Sequence, residues 1–162
     1  MSKVKKQEEQ KQSPVNAKPS KKTYIATVGR RKEAIARVRL WEGKGAVWLG
    51  AVVEKGAIVV NGKPVEAYFP QKTQKVQYLE PFKLTKTEGK FAVTVKVEGG
   101  GLSGQLDAMI HGISRALDAH NKEGFHAILR NRGFLTRDAR MRQRRKVGMG
   151  GKSRRKRQSP KR

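Results

Sequence analysis

The chain has 162 residues, and its 38 Lys and Arg residues against 13 Asp and Glu residues give a formal net charge of +25. Such an excess of positive charge favours a polyanionic partner, and nucleic acid is the expected one. An anionic membrane surface is a weaker alternative, because no basic segment also carries a broad apolar face. The absence of cysteine excludes disulfides, thiolate metal sites and cysteine nucleophiles.

Charge and composition divide the chain into three segments. Residues 1–22 carry seven basic and two acidic side chains and few apolar ones, which predicts a disordered basic N-terminal extension. This segment has no apolar run that could serve as a signal peptide, so we expect a cytoplasmic protein. Residues 23–135 are predicted to form a globular α+β RNA-binding domain. Residues 136–162 carry 13 basic side chains and one acidic one, which predicts an extended tail that becomes ordered only against phosphates.

The first half of the domain is predicted to be mostly β-structure. Residues 24–28 form a short β-rich run, and residues 34–41 alternate, with Arg37 and Arg39 on the face opposite Ala36, Val38 and Leu40. The Gly-Lys-Gly sequence at 43–45 is a turn signal. Residues 47–60 are rich in apolar β-formers and end at a turn, Asn61-Gly62.

The second half is predicted to combine short helices with one clear strand. Residues 64–68 and 71–79 are candidate helices bracketed by Pro70 and Pro81, and residues 91–97 alternate like a half-buried strand. An apolar stripe at helical spacing follows, made by Leu106, Met109, Ile110, Ile113 and Leu117. A last helix over residues 122–131 is predicted to bury Phe125, Ile128 and Leu129. This order predicts a small, mostly antiparallel sheet with helices on one face.

The sequence Gly99-x-Gly101-x-x-Gly104 follows a strand and opens a helix, as in a dinucleotide-binding fingerprint. The second parallel strand and its terminal acidic residue are missing, since Asp118 lies on the helix itself, so we reject a cofactor site. Bare amides at the helix N-terminus could instead accept an RNA phosphate. A tight turn that lets the helix pack on the sheet is an equally good interpretation, and both can hold.

No catalytic or metal site is predicted. His111, His120 and His126 lack metal-ligand spacing, and His111 and His120 are expected to pack beside the apolar stripe. Ser103 has no base beside it and is expected to cap the helix. Asp107 and Asp118 are expected to form salt bridges. By contrast, Arg37 and Arg39 next to Arg30-Arg31-Lys32 form a set of guanidinium groups suited to phosphate, with Glu33 the only nearby acid.

Several motifs together resemble the ribosomal protein S9 family of the small ribosomal subunit, bacterial type. They are Gly29-Arg30-Arg31-Lys32, the loop at 99–105, His111-Gly112-Ile113-Ser114-Arg115-Ala116-Leu117, Gly133-Phe134-Leu135-Thr136-Arg137-Asp138-Ala139-Arg140, and Arg145-Lys146-Val147-Gly148. The match runs in a single order from about residue 24 to residue 162. Three departures stand out: residues 47–57 look inserted, Gly150-Gly151 replaces basic residues, and Pro160 interrupts the final motif.

The resemblance implies an α+β domain similar to domain 2 of ribosomal protein S5, docked on the head of the small subunit beside other head proteins. It implies no enzymatic activity, no cofactor and no small-molecule substrate. The tail would thread through ribosomal RNA, and Lys161 and Arg162 would contact the anticodon stem-loop of peptidyl-site transfer RNA. The residues expected to bind ribosomal RNA are Arg30, Arg31, Lys32, Arg37, Arg39, Gly100, Gly101, Ser103, Gly104, Arg137, Arg140, Arg142, Arg144, Arg145, Lys146, Arg154, Arg155, Lys156 and Arg157.

Two rival classes remain at this point. A generic nucleic-acid-condensing protein would need charge but no particular register of motifs, and the predicted globular core argues against it. An RNA-modifying enzyme would need a cofactor or an acid–base site that the sequence does not show.

Overall fold

The computed structural model describes residues 24–42, 46–48 and 51–147. The predicted N-terminal extension, the turn at 43–45 and the tail from Gly148 onward lie outside the described residues. The described elements are β1 (Tyr24–Arg31), β2 (Ala34–Glu42), β3 (Ala46–Trp48), β4 (Ala51–Val53), β5 (Ile58–Val60), β6 (Lys63–Pro64), α1 (Val65–Tyr68), α2 (Lys72–Leu84), β7 (Phe91–Glu98), α3 (Leu102–His120) and α4 (Lys122–Asn131).

The main sheet has the strand order β1-β2-β7-β5-β6. The pairs β1/β2, β2/β7 and β5/β6 are antiparallel, whereas β5 pairs with β7 in parallel. The predicted α+β class is confirmed, with a mixed sheet in which antiparallel pairs predominate. The parallel pair arises because α1 and α2 connect β6 to β7 and return the chain to the middle of the sheet.

Alternation in β2 separates the core from the opposite face. Ala36, Val38 and Leu40 are at most 2% exposed and belong to the main apolar core. Arg37 is exposed on the other face, as the alternation predicts. Helix α3 packs on β1 and β2, and α2 and α4 pack on α3. The predicted stripe of α3 is buried in this core.

Two glycines allow α3 to approach the sheet closely. A Cβ atom on Gly29 would overlap the carbonyl oxygen of Ala108, and one on Gly112 would lie 2.6 Å from Val38 Cγ2. The Thr27 hydroxyl also donates to the carbonyl oxygen of Gly112 at 2.7 Å. The backbones of β1 and α3 are therefore nearly in contact, which no side chain at 29 or 112 would permit.

The predicted Asn61-Gly62 turn is confirmed. Both residues have positive φ angles, 48° and 79°, as a two-residue hairpin between β5 and β6 requires. The Asn61 side chain also donates to the Val97 carbonyl oxygen at 3.0 Å and accepts from the Val97 amide at 2.9 Å. These two bonds extend the hydrogen-bonded pairing of β5 with β7 beyond the end of β5.

Other predictions need correction. Strand β1 runs on through Gly29 and Arg30 to Arg31, because pairing with β2 extends to Arg31. Helix α2 continues past Leu79 and contains Pro81, which is buried. Ile128 was expected in the core but is 42% exposed, whereas Leu129 is fully buried.

Strand β7 is not half-buried as predicted, because both of its faces are covered over most of its length. Ala92 and Thr94, on the face opposite the main core, are fully buried. Ala92 packs with Val53 of β4, and Trp41 lies against the same cluster. The hairpin of β3 and β4, which forms a separate two-stranded sheet and overlaps the predicted insertion, contacts β7 and supplies this cover.

Candidate nucleic-acid interface

The adjacent residues Arg30 and Arg31 of β1 lie on opposite faces of the sheet. Alternation along β1 and its register with β2 place Arg30 opposite Ile35, on the same face as Arg37. Arg31 falls on the helical side and is only 15% exposed. Lys32 is exposed in the β1–β2 turn, with a φ angle of 51°. The single set of guanidinium groups expected from Arg30 to Arg39 is therefore divided between two faces.

Arg31 is engaged inside the protein. Its Nε lies 3.4 Å from Asp107 Oδ2, and its Nη1 lies 3.1 Å from Asp138 Oδ1. Nη1 also donates to the carbonyl oxygen of Arg140 at 2.9 Å. The side chain and backbone amide of Arg140 donate to Asp138, and these bonds hold the Asp138 pKa well below its usual range. Arg31 thus joins the end of β1 to α3 and to the first residues of the predicted tail.

The face opposite the helices carries positive charge along β2 and β7. Arg37 pairs in register with Lys96 of β7. Lys96 lies 2.7 Å from Glu98 and lowers the Glu98 pKa through this hydrogen bond, with a smaller contribution from Arg37. One acid among these cations leaves the face basic.

An aromatic pair borders the same face. The Tyr24 and Trp41 ring centroids are 4.6 Å apart, and the Arg39 guanidinium carbon lies 5.2 Å from the Tyr24 centroid. Trp41 Nε1 donates to Thr94 Oγ1 at 3.2 Å. Arg39 is therefore half-buried on an aromatic ring, whereas Arg37 is exposed.

The glycine loop supports both interpretations of its sequence. Gly99 and Gly100 have φ angles of 73° and 63°, and a Cβ on Gly100 would lie 3.1 Å from the Ala34 Cβ, so the loop packs closely on β2. Gly101 is exposed and occupies the N-cap of α3, where no side chain caps the helix. The prediction that Ser103 is the cap is wrong, because the helix begins at Leu102 and Ser103 lies within its first turn. Gly104 is buried near the Arg31 carbonyl oxygen.

Side chains of α3 contact the outer edge of β1. Arg115 Nη1 donates to the Val28 carbonyl oxygen at 2.6 Å, and His111 Nδ1 accepts from the Arg30 amide at 3.4 Å. Burial lowers the pKa of His111, and Arg115 and Arg137 lower it further, against backbone hydrogen bonds with Leu135 and Arg30. Sequence reasoning left both α3 side chains out of the candidate site. The motif from His111 to Leu117 contained them, but their contact with β1 depends on tertiary packing.

The other two histidines, and the two acids expected to form salt bridges, have partners within the described structure. His120 packs edge-to-face on Phe91 with ring centroids 4.9 Å apart, and His126 Nδ1 lies 2.8 Å from Asp118. The expected salt-bridge roles of Asp107 and Asp118 are confirmed. Within the described ranges, no group of three or more His, Cys, Asp or Glu residues could hold a metal ion. None of the helices described is long and apolar enough to cross a membrane.

The described part of the predicted tail has no regular secondary structure. The basic residues from Arg137 to Lys146 are all exposed, and the set comprises Arg137, Arg140, Arg142, Arg144, Arg145 and Lys146. The remaining candidates, Arg154, Arg155, Lys156, Arg157, Lys161 and Arg162, lie outside the described residues.

Comparison with known proteins is consistent with this arrangement. The family model described as "Ribosomal protein S9/S16" matches residues 29–162. The chain is 48% identical over 130 residues to small ribosomal subunit protein uS9 of Maridesulfovibrio salexigens, covering 80% of this chain and 91% of that protein. It is 47% identical over 139 residues to uS9 of Rickettsia bellii, covering 86% and 76%. The uS9 protein of an Anaeromyxobacter strain is 47% identical over 125 residues, covering 77% and 87%.

The fold, the basic surface and these similarities define a ribosomal protein, a structural component without enzymatic activity. The chain belongs to the ribosomal protein S9/S16 family. The hypothesis of an RNA-modifying enzyme is thereby excluded, and the place of action is the cytoplasmic ribosome.

Proposed function

We propose that this chain is a structural protein of the small ribosomal subunit that binds ribosomal RNA in the head of the subunit, beside other head proteins. The observation that carries the proposal is the separation of core and charge in β2, where Arg37 is exposed opposite Ala36 and Val38. A fixed row of cations on a rigid strand suits a fixed row of phosphates. The names of the uS9 relatives agree with this role.

The exposed RNA contacts would come from three regions: the sheet face with its turn, the glycine loop and the tail. The sheet face would supply Arg30 and Arg37, with Lys32 at the turn, and the glycine loop would present the uncapped amides of α3 to a phosphate. The tail would supply the densest charge, with 13 basic side chains in residues 136–162. Arg31 and Gly104 would act indirectly, by fixing the tail and the loop from inside the protein.

The tail tip is proposed to contact peptidyl-site transfer RNA through Lys161 and Arg162. This part rests on the resemblance of Ser159-Pro160-Lys161-Arg162 to the end of the family's tail. The same resemblance supports a domain over residues 23–135 similar to domain 2 of ribosomal protein S5. Cationic side chains on transfer-RNA phosphates would form charge-assisted hydrogen bonds.

The test combines fractionation with a binding measurement. In a sucrose gradient of cell lysate, the protein should migrate with the small subunit in stoichiometric amounts. With purified small-subunit ribosomal RNA, affinity should fall about 10³- to 10⁵-fold between 50 and 200 mM salt if roughly 6–10 phosphates are neutralised. A pool that is free or bound to DNA would favour a nucleic-acid-condensing protein, and a salt-insensitive affinity would refute the electrostatic account.

A further inference from the structure

Two neighbouring cavities share Arg30 and His111 but differ in charge balance. The first, of about 410 Å³, is lined by the basic residues Arg30, Arg31 and Arg140 and by the acidic residues Glu80, Asp107 and Asp138. The second, of about 360 Å³, is lined by Val28, Arg30, His111, Arg115, Leu135 and Arg137. No carboxylate lines the second cavity, so the charges of Arg115 and Arg137, which both disfavour protonation of His111, are not compensated there.

The arginines of the second cavity come from three separate segments. Arg30 lies in β1, Arg115 in α3, and Arg137 in the segment after α4. Across the described residues, none of the three lies within ion-pair distance of a carboxylate. The bond from Arg115 Nη1 to Val28 fixes the orientation of that guanidinium. A guanidinium has five N–H donors, so Arg115 retains donors for a ligand.

His111 forms a wall common to both cavities. Its Nδ1 already accepts from the Arg30 amide. Arg115 on its own helix and Arg137 from the following segment disfavour its protonation, and burial is the largest cause of its lowered pKa. The first cavity, on the other side of His111, is lined by equal numbers of basic and acidic residues. The local field therefore resists another cation and favours an anion.

We propose that Arg115 and Arg137 form a binding site for one phosphate group of the RNA backbone, with His111 as its wall and with Arg30, whose side chain belongs to the opposite face of the sheet, lining it only at the β1 edge. The inference rests on the proposed RNA-binding function and assigns one specific contact within it. Two guanidinium groups from different segments suit a phosphodiester, because each can donate to a different oxygen.

A first experiment uses sulfate, which does not titrate near neutral pH, as the probe. The His111 and His126 ring protons of the full chain are titrated by NMR in sulfate and in chloride at equal ionic strength. Sulfate should raise the pKa of His111 because a bound anion offsets Arg115 and Arg137. His126, which pairs with Asp118 outside the cavity, should move much less. Equal shifts of both histidines would overturn the site.

A second experiment measures affinity for small-subunit ribosomal RNA. Arg137→Ala and Arg115→Ala should each weaken binding about tenfold and reduce the salt slope by about one. Arg130→Ala, which removes one exposed charge on α4 outside the cavity, is the matched control and should change affinity less than about twofold. Arg137 lies in an exposed segment, so its variant carries the test if Arg115→Ala fails to fold.

The outcomes distinguish failure of the proposed phosphate site from failure of RNA binding as a whole. Equal losses for Arg137→Ala and Arg130→Ala would overturn the phosphate site while leaving RNA binding intact. Absence of RNA binding by the unmodified chain would instead refute the proposed function. An unchanged His111 titration in Arg137→Ala, with sulfate still shifting it, would also overturn the site, because the anion would then bind elsewhere.

Discussion

Arg115 of α3 donates a hydrogen bond of 2.6 Å to the carbonyl oxygen of Val28 in β1, 87 residues earlier in the chain. One turn before it, His111 accepts from the amide of Arg30, two residues after Val28. Two residues one turn apart on the helix, His111 and Arg115, thus bond to two alternate residues of the strand, Arg30 and Val28. This pairing fixes the rotation of α3 about its axis and holds Arg115 where it faces the unbalanced cavity.

The close approach of α3 to β1 should make Gly29 intolerant of any side chain. In Gly29→Ala the new methyl would overlap the backbone of Ala108 and Gly112, which cannot move independently of the helix. We expect the free energy of unfolding, measured in urea, to fall by about 3 kcal/mol. Gly101→Ala is the control, because nothing lies within 4 Å of its added Cβ and its φ of −116° suits alanine. Equal stability of the two variants would contradict the packing described.

Arg37→Ala should weaken RNA binding and leave the fold intact. The side chain is exposed opposite the core, so the free energy of unfolding should change by no more than about 0.5 kcal/mol. The salt slope of RNA affinity should fall by about one. Arg37→Lys, which keeps the charge, is the control and should retain most of the slope. A stability loss of about 2–5 kcal/mol, as for a core truncation, would show that the face assignment is wrong.

Stability should depend on pH through His111. Its pKa is lower in the folded chain than the ordinary value of 6.5, so as pH falls through 6.5 the unfolded chain takes up the proton first. The free energy of unfolding should therefore be highest above pH 6.5 and decline below it, by at most about 1.4 kcal/mol per pH unit from this group. His111→Gln should show a shallower decline in urea titrations between pH 7.5 and 5.5. Parallel curves for both proteins would rule out the effect.

Asp138→Ala should loosen the start of the tail without unfolding the domain. The variant removes an ion pair with Arg31 and the acceptor of the Arg140 amide. Ion pairs of exposed side chains contribute little to stability, but exchange of the Arg140 amide with solvent should accelerate. Glu66→Ala breaks the exposed pair with Lys75 instead and should leave that amide unaffected. Unchanged exchange in Asp138→Ala would mean that the Asp138 carboxylate does not hold the start of the tail.

Replacing Lys161 and Arg162 with alanine should lower the affinity of the peptidyl site for transfer RNA while sparing subunit assembly. Each lost charge-assisted contact should cost about 1–2 kcal/mol, whereas the other basic side chains of the tail remain for docking. Replacement of Lys3 and Lys5 removes the same charge from the predicted extension and serves as the control. Unchanged transfer-RNA affinity would refute the contact, and a collapse in subunit yield would assign these residues to assembly.

Local patterns predicted those parts of the fold that depend on neighbouring residues. The alternation of β2, the stripe of α3 and the Asn61-Gly62 turn needed only the period of a strand, the period of a helix and a positive φ. The parallel pairing of β5 with β7 could not be read this way, since it depends on which strands meet after a long connection.

In the candidate site too, local patterns predicted some features, whereas others depend on residues far apart in the chain. Exposed Arg37 follows from local alternation, but the inward role of Arg31 requires Asp107 and Asp138, which lie 76 and 107 residues further along. The contact of Arg115 could not be predicted from its helix motif either, because its partner is a backbone carbonyl of a distant strand.

Both outer strands of the described sheet are poor templates for another chain. A strand edge with free amides and carbonyls invites pairing with a neighbouring molecule, and the result is aggregation. At β1, Arg115 and His111 occupy the outward groups of Val28 and Arg30. At the opposite edge, β6 has only two residues, and Pro64 has no amide hydrogen to donate. Both edges therefore offer fewer free backbone groups to an additional strand while the charged face stays accessible, which should help to keep newly made, unassembled protein monomeric until it meets RNA.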